Sequence, residues 1–116
     1  MTVKKTGLAL AQVAVTEVDD ASDLSKASGV VEVFLKDGRQ FSILAATPAW
    51  FEAEFARLKL PYYFGPSILF LRDLKDRTVK QAVTAMTKEG EGVLIQHDTP
   101  RTTLPRLLAE FKARHF

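Results

Sequence analysis

Val30-Val-Glu-Val-Phe-Leu35, Lys36-Asp-Gly-Arg39 and Gln40-Phe-Ser-Ile-Leu44 make up the stretch whose reading settles the fold class. Two runs of alternating apolar residues joined through Asp37-Gly38 have the period of β-strands and the turn residues of a hairpin. The Asp-Gly pair selects a type I′ turn, in which both central residues take positive φ. One face of this hairpin would present Val31, Val33, Leu35, Phe41 and Ile43. The other carries Glu32, Phe34, Gln40, Ser42 and Leu44, a mixed set that predicts only a partial cover.

Upstream, Leu8 to Val18 contains the β-branched residues Val13, Val15, Thr16 and Val18 and is expected to be another strand. A helix is the alternative there, because Leu8, Ala11, Ala14 and Val15 share a helical face. Asp19 to Gly29 is rich in turn formers and reads as a polar loop. Downstream, Thr47-Pro48 announces a helix with an N-cap threonine and proline at the first position, and Phe51, Phe55 and Leu58 follow at helical spacing. That helix must end before Pro61, and Tyr62-Tyr-Phe-Gly-Pro66 connects it to a strand from Ser67 to Leu71. A second helix, capped by Asp73 or Asp76, carries Val79, Ala82, Val83 and Met86 inward and stops at Gly90 or Gly92. Val93-Leu-Ile95 reads as a short buried strand. The last helix begins near Thr102 or Thr103, with Leu104, Leu107, Leu108 and Phe111 inside.

These elements predict an α+β two-layer sandwich. An N-terminal antiparallel meander (about residues 8–18, 30–35 and 40–45) leads into α-β-α-β-α, giving a mixed sheet with helices mainly on one face. The 116 residues suffice for one ordinary core, and neither a repeat nor a linker interrupts them, so a single domain over 1–116 is expected.

Composition narrows the chemistry. With 47% hydrophobic and 26% charged residues the chain is that of a globular domain, and its lack of cysteine excludes a disulfide framework and a thiol nucleophile. No apolar run approaches the roughly 18 residues that cross a bilayer. The basic start, Met1 to Lys5, is followed by an apolar stretch that Gln12 interrupts, with no convincing cleavage site. A cytoplasmic protein without membrane contact is therefore expected. The formal charge is +2, but residues 1–58 hold six basic and eight acidic residues against ten and six in 59–116, a balance of −2 against +4.

His97-Asp98 is the best-looking catalytic pair, yet neighbours on an extended chain point to opposite sides, so this Asp cannot orient this His. Asp98 is expected to cap the turn into Thr99-Pro100, and His115 to meet the dipole at the end of the last helix. Two histidines without a His-Glu-x-x-His spacing make zinc improbable, and Asp19, Asp20 and Asp23 lack the spacing of a calcium loop. Gly90-Glu-Gly92 leads into a strand signal and is a helix stop, not a phosphate loop, while Ser67 starts a strand and is not a nucleophile elbow. No catalytic residue, cofactor or metal is assigned, and enzymatic activity ranks last.

What is left is recognition. The expected function is a small non-enzymatic protein-interaction module or accessory subunit, able to act as a homodimer through its oppositely charged halves. Trp50, Tyr62, Tyr63 and Phe64 are its candidate interface, with strand 40–44 if that strand lies at a sheet edge. The competing role for these rings, Phe64 foremost, is to close the end of a small core. The alternative function is nucleic-acid binding through Arg106, Lys112 and Arg114 on the last helix, with Arg101 ahead of it, although a solvated helix face is the simpler account of so small a charge excess.

Overall fold

The computed structural model describes residues 9–116. Met1 to Leu8, including the expected start of the first strand and the segment read for a leader, lies outside the described residues. Strands β1 (Leu10–Asp19), β2 (Ser28–Leu35) and β3 (Gln40–Ala46) form the antiparallel meander. Helix α1 (Pro48–Leu58) then carries the chain back, so that β4 (Leu69–Phe70) runs parallel beside β3 in the order β1-β2-β3-β4. Helices α2 (Asp76–Glu89), α3 (Glu91–His97) and α4 (Leu104–His115) complete an α+β fold. The first segment is a strand because its Val13 and Val15 sit opposite Val33 and Val31 and join one core.

The hairpin forms where its alternation places it, but its turn is not type I′. Positive φ occurs at Gly38 alone (95°), and the turn closes through the Gly38 amide donating to the Leu35 carbonyl at 3.0 Å. This is a three-residue connection with glycine at the left-handed position, and the Asp37 carboxylate replaces the second positive φ by accepting from the Arg39 amide at 3.0 Å.

Both faces of the sheet are covered. On one, Val31, Val33, Leu35, Phe41, Ile43 and Ala45 pack against Val79, Val83 and Met86 of α2 and Leu94 of α3. On the other, Val30, Leu44 and Ala46 pack against Trp50 of α1 and Leu104, Leu108 and Phe111 of α4. Two helices on each face replace the expected single layer, because residues 28–31 and 43–46 are buried at consecutive positions and need cover on both sides. Cover on the second face ends there: Glu32, Phe34, Gln40 and Ser42 at the other end are only partly buried or exposed.

Val93-Leu-Ile95 corrects the expected fifth strand, for it lies inside α3. Gly90, at φ 118° and ψ 177°, breaks α2, and the chain re-enters helix at once with Leu94 fully buried and Ile95 at 55% exposure. Tertiary packing of one leucine here overrides the strand propensity of two β-branched neighbours. The strand expected over Ser67 to Leu71 contracts to Leu69–Phe70, paired with Ala45 and Ala46.

Thr47 ties the second core together. It is buried, and its Oγ1 accepts from the Trp50 amide at the start of α1 and from the Ala27 amide before β2, each at 3.2 Å. Trp50 Nε1 in turn donates to Asp19 Oδ2 at 2.6 Å, tying α1 to the end of β1. Thr47→Ala should cost about 1–3 kcal/mol in urea unfolding, since the buried Ala27 amide loses its acceptor and the Trp50 amide keeps only the Thr47 carbonyl, while Thr47→Ser should recover most of it.

Acid sensitivity follows from three carboxylates, of which Asp23 is held below its ordinary value by hydrogen bonds from the Ser25 side chain and amide. Hydrogen bonds from the Arg39 side chain and amide hold the Asp37 carboxyl below its ordinary value, and those from Thr78 and the Lys75 amide do the same for Asp73. Depressed folded values mean stability that is fully present above the unfolded value, about pH 4, and is lost as pH falls through the folded values. Tm should therefore drop below about pH 4, and less steeply for Asp37→Asn, in a thermal melt series from pH 6 to pH 2.

Candidate functional site

Rings gather where α1, the 59–68 connection and α4 meet. Phe111 of α4, only 1% exposed, is their hub. Tyr63 meets it edge-on at 4.9 Å between centroids and Phe64 at 5.0 Å, while the His115 ring lies tilted against it at 4.5 Å. Phe51 of α1 continues the set, 5.9 Å from Phe55 and 5.4 Å from Phe70 on β4. Between these rings opens a groove of about 510 Å³, walled by Phe51, Phe55, Tyr63, Phe64, Ile68 and Phe70. The Tyr63 hydroxyl lies over Gly65 in space that a β-carbon there would need. Burial pushes the Tyr63 phenol above the usual tyrosine value, against a smaller opposing pull from Arg114.

The four aromatic candidates part company. Trp50 is buried and committed to Asp19, so it belongs to the core and not to an exposed surface. Tyr63 is half-buried as a groove wall. Tyr62 and Phe64 are open at 50% and 63%, which corrects the view of Phe64 as core. Phe51 and Phe55, which share a stripe at helical spacing, and Phe70, which falls in the strand expected over Ser67 to Leu71, are groove residues that the sequence does not mark as a site. Phe70 is 56% exposed because β4 is an edge strand of two residues.

The cations of α4 separate in the same way. Arg101 and Arg106 border a second, polar groove at the start of the helix, whereas Lys112 and Arg114 stand in its last turn near the rings. Arg106 donates through Nε to Glu110 at 3.1 Å. At about 1.5 Å per residue, the six positions from Arg106 to Lys112 put about 9 Å of helix axis between these two groups.

His97 and Asp98 serve structure. His97 Nδ1 lies 3.0 Å from the Val93 carbonyl within α3. Asp98 Oδ1 accepts from the Ser42 amide at 2.7 Å, and the Thr99 amide donates to the Ser42 carbonyl at 2.7 Å. Strand 40–44 is thus at the sheet edge beyond β4, but its edge is occupied at Ser42 by this short return of the chain and is closed there to a partner strand. Among the described residues no group of three or more metal-ligating side chains comes together, and no helix is long and apolar enough to cross a membrane.

Asp98→Ala should destabilise the chain by about 1–3 kcal/mol in chemical denaturation and speed hydrogen exchange at the Ser42 amide, whose acceptor is lost. Comparison with family models, with curated proteins and with solved structures finds no match to this chain.

Proposed function

We propose that the chain is a small protein-interaction module whose partner docks in the aromatic groove and brings an apolar segment bordered by carboxylates. The supporting observation is the exposure of Phe64 and Phe70 on one continuous groove, with Tyr63 as a half-buried wall. Scattered apolar residues at a surface need no account, but contiguous rings do. Aromatic residues of this kind supply the few contacts that dominate binding energy.

Charge selects the partner's chemistry. Residues 59–70 contain Lys59 and no acid, and residues 111–116 contain Lys112 and Arg114 and no acid. Arg114 acts on the Tyr63 wall, so a partner with carboxylates beside its apolar segment would meet a cation there, where complementary charge raises the association rate and fixes orientation. Nucleic acid is less well served, because the four cations divide between the start and the last turn of α4 instead of forming one patch. Self-association would be the special case in which the acidic N-terminal half of a second copy supplies the carboxylates.

The test compares immobilised wild type with Phe64→Ser, Phe70→Ser and Arg114→Glu, each checked by thermal melt. These exposed positions should change stability by no more than about 0.5 kcal/mol. A protein retained by wild type should bind the ring variants more weakly by about 2 kcal/mol or more, and lose association rate with Arg114→Glu. Retention that ignores all three substitutions would sink the proposal. So would retention of single-stranded nucleic acid that weakens steeply with salt and depends on Arg101 and Arg106.

A further inference from the structure

At the other end of α4, on the uncovered part of the second sheet face, lies the polar groove, with a volume of about 430 Å³. Thr16 of β1, Glu32 of β2 and Ser42 of β3 form its floor, and Arg101, Thr103 and Arg106 stand over them. Glu32 is charged in mid-strand, between two paired neighbours, where apolar or neutral residues are the rule. Its Oε1 accepts from Ser42 Oγ at 2.7 Å and from Gln40 Nε2 at 3.0 Å, so neutral donors fix the carboxylate in place. Among the described residues no cation lies within 4.0 Å of it.

The opposite wall is positive, and among the described residues no carboxylate from across the groove pairs with it. Arg101 has no acidic partner within the same distance among the described residues, and Arg106 reaches Glu110, outside the groove lining, through Nε. Its two terminal nitrogens remain for other acceptors. Thr103 does not cap α4 with its side chain, so of the first helical positions the Leu104 and Arg106 amides, though not the ring nitrogen of Pro105, are left without a side-chain acceptor.

We propose that this groove binds a small zwitterion with an ammonium group and a carboxylate, as in a free α-amino acid. The ammonium sits on Glu32 and the carboxylate on Arg101 and Arg106. A lone anion such as phosphate would face the Glu32 carboxylate, with Glu17 also on the lining, and a lone cation would face two guanidinium groups. Only a ligand that carries both charges satisfies both walls. The volume suits such a molecule, since small-ligand sites begin at about 300 Å³.

The test is an amide chemical-shift titration of the full chain with each of the common free amino acids, and with acetate, methylammonium and inorganic phosphate as single-charge probes. At least one amino acid should give saturable shifts at Thr16, Glu32, Ser42 and Thr103 at millimolar concentration, while the three single-charge probes do not saturate. Glu32→Gln, which keeps the shape and one acceptor oxygen, should weaken that binding at least tenfold. Arg101→Ala, at an exposed position away from both cores, should do the same with an unchanged melting temperature, and it carries the test if Glu32→Gln does not fold. Absence of saturation with every amino acid, saturation by phosphate with equal affinity, or indifference to Arg101→Ala would overturn the proposal.

Discussion

Pairing of β2 with β3 sets Val31 opposite Ile43 and Val33 opposite Phe41 on one face, and Val30 opposite Leu44 on the other, and both cores are built on these pairs. A strand has a side-chain period of two, so a slip of one residue would send Glu32 into the first core and Val31 and Val33 out of it. The Gly38 turn prevents that slip by fixing the length of the connection, and Asp37 stiffens the turn through its bonds to Arg39. The same register leaves the second face divided. Its apolar half seats α1 and α4, and its polar half, with Glu32 and Ser42, remains accessible.

Much of this fold is legible in the sequence, and for local reasons. Alternation over residues 30–44 contains the hairpin, and Thr47-Pro48 contains the start of α1, because strand period and helix capping are both decided within a few residues. Val93-Leu-Ile95 is misleading for the opposite reason. Three apolar residues have no resolvable period, and the outcome depends on Leu94 reaching a core built by strands about fifty residues earlier in the chain. The turn type is also hidden, since Asp37 satisfies the Arg39 amide with its side chain instead of adopting positive φ.

Site residues are harder to read than elements. Residue type alone separates neither Trp50 from Phe64 nor Phe111 from Phe70, although exposure runs from 1% to 63% across these four. What separates them is position in the fold. Trp50 and Phe111 face the sheet, while Phe64 follows the helix end at Lys59 and Phe70 sits on a strand too short to be covered. The contact of Asp98 with Ser42 spans 56 positions and has no local signal at all. Arg101 and Glu32 likewise meet in one groove only because the chain returns over the sheet after α3.

The bond between Trp50 and Asp19 gives the molecule an optical property. Trp50 is the one tryptophan in the chain, and it is buried, bonded to a carboxylate and set edge-on to Phe51 at 5.3 Å. Phe51 is also a wall of the aromatic groove. The indole therefore stands one ring behind that surface without belonging to it. Its fluorescence is a built-in gauge of two distinct events: whether α1 is seated on the sheet, and whether the rings in front of it have been rearranged.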